Sequence, residues 1–351
     1  MFLNYIHRFR GIAILFIVTG HCTRFFDWGN SPQMERICKV AFLNGTVLFV
    51  FIAGFLFQHL SHKYTYKQYL ITKLKHIILP YIFISIPIII YLVFIEKLGH
   101  WAYPDLNEKS YLFQITWFYI TGKHLAPLWF IPMISIFYLL YPLFIAIDNN
   151  VKAYFYIIPI FIAVSALIHR PPAEINVFHT SVYFFSVYLL GMFCSRFRSY
   201  FLTVIDKLML LLLFLFATLF VAEILFHESV GIIYVKRMFF HDKEFLDINL
   251  FQKLILCGLL VNVLYKYEKF FNRFLSDKIL TNLAGLSFGI YFLHYYFLEL
   301  HFKTKRIFHY EFSGNIIMLL VSTSVVCMIC IIILKTVKRF AGHRSRYVIG
   351  C

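Results

Sequence analysis

The stretch Phe9-Arg-Gly-Ile-Ala-Ile-Leu-Phe-Ile-Val-Thr-Gly-His21 decides the fold, because it is an apolar run with an ionisable group near each end. An α-helix turns about 100° per residue, so the path from Arg10 to His21 brings both side chains to one face, within about 20° of each other. They lie about 16 Å apart along the axis. Ionisable groups in a membrane helix are costly and usually face a polar cavity. This helix is therefore predicted to border a site.

Composition indicates that nearly the whole chain is membrane protein. Of its 351 residues, 61% are hydrophobic and 14% are charged, whereas soluble domains average about 45–50% apolar and about 25% charged residues. A bilayer core needs about 20 apolar residues per helix, so the sequence predicts an all-α, polytopic transmembrane bundle of about ten spans. The predicted spans are 9–26, 40–60, 77–96, 127–147, 153–169, 178–195, 203–226, 247–265, 282–301 and 315–337.

One transmembrane domain is predicted over residues 1–340, followed by a short basic cytoplasmic tail over 341–351. The first run carries no small-residue cleavage site, so we expect a retained span and not a leader. With both termini in the cytoplasm, 19 of the 33 Lys and Arg residues fall in cytoplasmic segments, as the positive-inside rule requires.

The charge and the outer segments each allow two interpretations. The cationic cytoplasmic face fits either ordinary positive-inside bias with attraction to anionic lipid or a landing site for a phosphorylated ligand. No nucleic-acid partner is expected, because the charge is scattered over loops. The outer segments 27–39, 97–126 and 227–246 are rich in aromatic residues, which suit either the membrane interface or the faces of sugar rings.

Two motifs in the late spans predict structure more than chemistry. Cys327-x-x-Cys330 lies within a span without His or acidic neighbours, so neither a metal site nor a disulfide framework is expected. Gly285-x-x-x-Gly289 permits close approach of a neighbouring helix.

Few other ionisable residues lie deep in the predicted spans. His294 is predicted at the level of His21, and it shares one helical face with Ser287 and Tyr291. Each histidine suits general-base work near neutral pH, or it is a structural residue bonded to a neighbouring helix. Arg10 either holds a phosphate by forked hydrogen bonds or simply reaches to the helix end.

Five segments, taken in order, resemble the acyltransferase-3 family of multi-span bacterial membrane O-acetyltransferases. The likeness runs from about residue 5 to 335, nearly the whole chain. The segments are Arg10-x10-His21, Phe49-Val-Phe-Ile-Ala-Gly-Phe-Leu56, Leu79-Pro80-Tyr81, Leu128-Trp129-Phe130-Ile131 continuing to Tyr138-Leu-Leu-Tyr-Pro142, and Leu286-Ser-Phe-Gly-Ile-Tyr-Phe-Leu-His294.

The resemblance implies an enzyme of the bacterial cytoplasmic (inner) membrane. Such an enzyme takes an acetyl group from cytoplasmic acetyl-CoA and delivers it to a hydroxyl of a cell-surface or lipid-linked glycan at the outer face. Carried onto this sequence, His21 is the essential histidine and Arg10 is its partner. The family often has Arg-x-x-Arg before its third span. This chain has Lys73-Leu-Lys75-His76 there, which keeps the positive charge but not the paired forks.

The hypothesis assigns a role to each candidate residue. Arg10, Lys73, Lys75 and His76 would neutralise the CoA phosphates. His21 would take the proton of the acceptor hydroxyl, or form an acetyl-histidine intermediate. The candidates for orienting the acceptor or stabilising the oxyanion are Trp129, Ser287, Tyr291 and His294. No metal is needed. The rival interpretation is a lipid-linked glycan flippase or transporter without acyl-transfer chemistry.

Overall fold

The computed structural model of this chain describes residues 3–97, 103–170, 176–226, 246–271 and 275–351. Within these ranges helices and their connections account for the fold, without a β-strand, and a lone bridge joins Asp27 to Ser313. The predicted all-α architecture is confirmed. Nearly all of the predicted outer segment 227–246 lies outside the described residues.

The helices follow the apolar runs of the sequence. They are α1 Asn4–Cys22, α2 Pro32–Phe42, α3 Thr46–Leu60, α4 Tyr66–Lys73, α5 Leu79–Ile90, α6 Tyr111–Thr121, α7 Phe130–Leu139, α8 Tyr141–Asn149, α9 Val151–Ile168, α10 Val177–Arg196, α11 Arg198–Lys207, α12 Met209–Phe226, α13 Ile248–Lys266, α14 Glu268–Phe271, α15 Leu275–Phe308, α16 Ile316–Ala341 and α17 Ser345–Val348. Turns of π-helix at Leu74–Ile78 and Tyr91–Glu96 extend α5 at both ends.

Several of these helices are long and apolar enough to cross a membrane. Among the described residues, length and composition identify six such helices, or eight if each of two pairs bent by 74° is one span. The helices α1 and α15 are not among them, and both carry ionisable residues, which lower hydropathy. The predicted number of about ten spans is therefore approximate.

Three predicted spans are interrupted in the structure. The run 40–60 breaks between α2 and α3, where Asn44 has a left-handed backbone with φ of 59°. The run 127–147 divides into α7 and α8 around Leu140, and Pro142 begins the second helix. The run 203–226 changes direction by 74° between α11 and α12. Such breaks give loop backbone a place inside the bundle, which is tolerated only where it is covered by protein or lines a cavity.

Helix α1 lies inside the bundle and packs against α3, α13, α15 and α16. Its first turns are tied to α15 by Arg8, whose Nε donates to a carboxylate oxygen of Asp277 at 2.7 Å. Arg8 is 1% exposed. Because removing one partner of a buried ion pair leaves an uncompensated charge, this contact fixes the register of α1 against α15.

Candidate active site

His21 lies in the last turn of α1, in the wall of a cavity of about 540 Å³. We call this space the His21 cavity. Its wall is built from the end of α1, the break before α3, the end of the α5 segment, the connection 123–127 and the second half of α15. Under the predicted topology this is the outer half of the bundle. The fold therefore places the histidine predicted to be essential at an open space large enough for part of a substrate.

The structure brings His21 and His294 together, as their predicted common level requires. Their ring centroids are 5.3 Å apart, and the ring of Tyr295 lies 5.1 Å from that of His21. His294 is fully buried, and its Nδ1 lies 3.0 Å from the carbonyl oxygen of Ile290. A carbonyl can only accept, so Nδ1 carries the proton. Nε2 of His294 has no hydrogen-bond partner among the described residues.

Of the other predicted acceptor or oxyanion residues, Trp129 and Tyr291 line this cavity, whereas Ser287 and His294 do not. Trp129 and Tyr291 are in the wall, and the Tyr291 hydroxyl donates to the carbonyl oxygen of Pro127. Ser287 is buried, and its hydroxyl donates to the carbonyl oxygen of Ala284 one turn earlier. Ser287 lies outside the cavity wall.

Arg170 is a cavity residue that the sequence analysis did not identify. It is 7% exposed, and its guanidinium carbon lies 5.0 Å from the centroid of the Trp129 ring. Its Nη1 donates to Oδ1 of Asn44 at 3.2 Å. The Arg170 charge is close enough to His21 to interact with it electrostatically. The structure thus fixes a guanidinium in the wall of the same cavity as the candidate base.

Arg170 is held by a chain of hydrogen bonds that continues into the protein. Nδ2 of Asn44 donates to the Tyr183 hydroxyl at 3.2 Å, and that hydroxyl donates to Asp247 at 2.7 Å. The backbone amide of Leu250 also donates to Oδ1 of Asp247 at 2.9 Å. This chain of hydrogen bonds orients Arg170 through its Nη1.

The rest of the cavity wall is also rich in charge. Arg24 reaches the Tyr295 hydroxyl at 3.4 Å, and Lys303 lies with its amine 3.5 Å from the centroid of the Tyr91 ring. Lys123 and Arg306 are the remaining basic residues of the wall, and Glu96 and Glu299 are its acidic residues. Glu299 interacts with Lys303, Arg306 and Arg24. Basic residues therefore outnumber acidic ones around the space that His21 faces.

Arg10 lies away from the His21 cavity. Its Nε donates to the carbonyl oxygen of Ala284 on α15 at 3.0 Å, and Arg10 is not part of the cavity wall. Between Arg10 and the cavity, Ala13 and Ile14 of α1 are fully buried. A ligand that stretched along α1 from Arg10 to His21 would have to part these packed helices.

The other basic residues predicted to bind phosphate point in different directions. The Lys73 amine lies 5.0 Å from the ring centroids of both Tyr69 and Tyr138, a cation–π arrangement. Lys75 is exposed. The His76 ring stacks on Tyr347 with centroids 5.5 Å apart and planes 12° apart.

The C-terminal segment adds a cation to this region. The short helix α17 packs on α5 and on the π-helical turn Leu74–Ile78. Arg346 of α17 is close enough to Arg10 and to His76 to interact electrostatically with both. The predicted tail thus folds back beside the predicted phosphate site, and Arg346 adds a basic residue near Arg10 and His76.

The sequence held a partial signal for the residues that were missed. Arg24 lies near the end of the run 9–26, and Arg170 directly follows the run 153–169. A charge at such a position is ordinarily interpreted as a membrane-interface anchor. The Asn44-Gly45 pair inside the run 40–60 is a turn signal. It lies at the break between α2 and α3, which places Asn44 in the cavity wall.

Comparison with known proteins supplies a family-level match. The acyltransferase-3 family model, described as an acyltransferase domain, matches residues 3–335. Comparisons with curated proteins and with solved structures gave no match. The matched range contains His21, His294, Arg170 and the whole wall of the cavity.

Proposed function

This chain belongs to the acyltransferase-3 family, and on that premise we propose that it is a membrane O-acetyltransferase. It would move an acetyl group from cytoplasmic acetyl-CoA to a hydroxyl of a cell-surface or lipid-linked glycan in the bacterial inner membrane. The observation that carries the proposal is a histidine, His21, in the wall of a cavity of about 540 Å³, with the ring of His294 packed behind it at 5.3 Å. Family membership makes the chain a multi-pass membrane acyltransferase, and the donor, the acceptor and the direction are our proposal.

The proposed reaction uses His21 as general base. His21 takes the proton of the acceptor hydroxyl as its oxygen attacks the thioester carbonyl carbon. The tetrahedral intermediate collapses with cleavage of the carbon–sulfur bond, and the imidazolium returns its proton to the leaving CoA thiolate. This sequence consumes and releases no other species. His294, whose ring is fixed through Nδ1, would keep His21 in position.

The donor site is proposed at the opposite end of α1. Arg10, Lys73, Lys75 and His76 would neutralise the CoA phosphates, with Arg346 now added from the fold. The distance of about 16 Å along α1 between Arg10 and His21 would be spanned by the pantetheine arm. Because Ala13 and Ile14 fill this path, donor binding would separate α1 from its neighbours.

The proposal is tested by following radiolabelled acetyl groups. Membrane vesicles from bacteria that express the chain, and vesicles from an empty-vector strain, receive acetyl-CoA labelled in the acetyl group. We expect label to enter a glycan fraction as an ester that mild alkali releases, only when the chain is present. Glycan that crosses the membrane without gaining label would instead support the flippase interpretation and refute the proposed reaction.

Replacing Arg10 tests the donor site. We expect Arg10→Ala to raise the KM for acetyl-CoA by about 10- to 100-fold, because a charged hydrogen bond contributes about 1.5–3 kcal/mol, with little change in the KM for the acceptor. Arg10→Lys keeps the charge and should lose less. Arg339→Ala removes a cation near the end of α16 and serves as the control.

Arg10 also donates to Ala284, so stability is measured alongside kinetics. A loss of thermal stability with unchanged acetyl-CoA affinity would identify Arg10 as an anchor between α1 and α15 and remove it from the donor site.

A further inference from the structure

Basic residues outnumber acidic residues in the wall of the His21 cavity. Its basic residues are Arg24, Lys123, Arg170, Lys303 and Arg306, and its acidic residues are Glu96 and Glu299. Glu299 is accounted for by the neighbouring Lys303 and Arg306. The formal charge of the wall is therefore positive, and a ligand that fills the cavity meets a cationic surface.

Arg170 is the most strongly fixed of these cations. It is 7% exposed, lies on the Trp129 ring and is oriented by Asn44, which the Tyr183–Asp247 pair holds in turn. The Asp247 carboxylate interacts with Arg170 but lies outside the cavity wall. Placing a guanidinium inside a membrane bundle costs several kcal/mol, and here the guanidinium is presented at the wall of a cavity.

The donor's phosphates are a poor match for Arg170. In acetyl-CoA the whole pantetheine arm separates the phosphates from the thioester. If the thioester lies at His21 and the phosphates lie at the proposed donor site near Arg10, a cation in the wall of the His21 cavity is at the wrong end of the molecule to bind those phosphates. The charge that Arg170 meets must therefore come from the other reactant or from the reacting carbonyl.

We propose that the His21 cavity selects an acceptor that carries an anionic group, and that Arg170 binds this group. The guanidinium fork matches carboxylate and phosphate oxygens, so a uronic-acid-type carboxylate and a phosphodiester are both within the class. This inference rests on the proposed function, in which His21 activates the acceptor hydroxyl. The other basic residues of the wall attract the same negative charge into the cavity; they are Arg24, Lys123, Lys303 and Arg306.

The test compares two sugar probes that differ only at C6, where one carries a carboxylate and the other a hydroxymethyl group. The purified chain in lipid nanodiscs is titrated with p-nitrophenyl β-glucuronide and with p-nitrophenyl β-glucoside. We expect the glucuronide to bind at least about tenfold more tightly, the effect of one charged hydrogen bond. Arg170→Gln should abolish this preference, Arg170→Lys should keep part of it, and Arg339→Gln should keep all of it.

Each other outcome has a defined meaning. Equal binding of the two probes by the unmodified chain, or no glucuronide binding at millimolar concentration, overturns the proposal without relying on any variant. A preference that survives Arg170→Gln in folded protein removes Arg170 from the binding site and overturns its assignment. If Arg170→Gln slows acetyl transfer to charged and neutral acceptors equally, Arg170 acts on the thioester carbonyl, and the acceptor assignment is wrong.

The same preparations separate this inference from the proposed function. Charge-selective binding in a chain that transfers no acetyl group from acetyl-CoA would sustain an anion-selective cavity and refute the transferase. Acetyl transfer at equal rates to charged and neutral acceptors would support the transferase and refute the anion-selective cavity. The two failures are therefore distinguishable in one set of nanodiscs.

Discussion

Replacing His21 with alanine is expected to lower acetyl transfer by about 10²–10⁴-fold, the range that a positioned general base contributes, while the protein inserts and folds. The fold supports this separation, because His21 faces a cavity, and shortening its side chain enlarges an existing space. The measurement is the rate of label transfer from acetyl-CoA in vesicles, at acetyl-CoA concentrations that saturate the enzyme. Elution of the variant at the normal volume in size-exclusion chromatography shows that it is folded.

His62 supplies a matched control for His21. It lies in the exposed turn Ser61–Lys63 at the far end of α3, so His62→Ala removes the same side chain away from the cavity and should keep full activity. His21→Asn keeps a polar side chain of smaller size and should be as inactive as His21→Ala. Full activity in a folded His21→Ala protein would end the general-base proposal.

A variation of this experiment distinguishes the two roles proposed for His21. Without acceptor, a general base leaves the protein unlabelled by acetyl-CoA, whereas nucleophilic catalysis loads an acetyl group onto the imidazole. Rapid denaturation and mass spectrometry of the peptide that contains His21 measure this label. Absence of the adduct, with intact turnover when acceptor is present, supports general-base catalysis.

Helical periodicity predicted the histidine pair because it fixes which residues share a face within each single helix. The spacing from Arg10 to His21 and the shared face of Ser287, Tyr291 and His294 follow from about 3.6 residues per turn. The contact between the two helices then needs only that both faces turn inward, as costly polar groups in lipid require. The ring separation of 5.3 Å is the result.

The sequence could not show which polar groups would be occupied by the fold itself. Ser287 bonds to its own helix at Ala284, a local alternative open to any serine in a helix. Arg10 donates to the same carbonyl. Arg170 depends on Asn44, 126 positions away, so its placement emerges only from tertiary packing. The sites of residues that act through distant partners were therefore invisible to periodicity.

Glycine spacing correctly indicated that helices approach closely at glycines, but it did not identify where the closest approach occurs. The predicted motif Gly285-x-x-x-Gly289 is half used, because a Cβ built on Gly285 meets nothing within 4 Å, while one on Gly289 lies 2.6 Å from a methyl group of Leu334. The tighter helix contact is between α3 and α10. This contact occurs at Gly54 and Gly191. Each is the single glycine of its helix, so no glycine-spacing motif predicted the contact.

Substituting Gly54 or Gly191 with alanine is expected to cause the largest loss of folded protein among single-methyl changes in this bundle. A Cβ on Gly54 would lie 2.0 Å from the carbonyl oxygen of Tyr188, and one on Gly191 would lie 2.1 Å from that of Phe51. Both neighbours are backbone atoms, so the helices must move apart. Membrane helices associate through close packing of this kind, and overpacking costs about 1–3 kcal/mol or more.

Gly285→Ala is the matched control, since it adds the same methyl group to a membrane helix where space is open. Alanine is favoured over glycine by about 1 kcal/mol within a helix, so this variant should be at least as stable as the parent. Gly289→Ala should be intermediate, because the Leu334 side chain can rotate away. Thermal unfolding of the detergent-solubilised proteins, followed by fluorescence size-exclusion chromatography, ranks the four variants.

The same two glycines connect packing to the site, and a paired measurement tests that link. Helix α3 begins two residues after Asn44, and α10 carries Tyr183, so separating the two helices stretches the Asn44–Tyr183 hydrogen bond that holds the partner of Arg170. The double variant Gly54→Ala/Gly191→Ala should cost much less than the two single losses combined, because the first methyl group already opens the contact that the second would fill. If Gly54→Ala were as stable as Gly285→Ala, the close packing of α3 against α10 would be contradicted. The orientation of Arg170 by hydrogen bonds across that contact would then be contradicted as well.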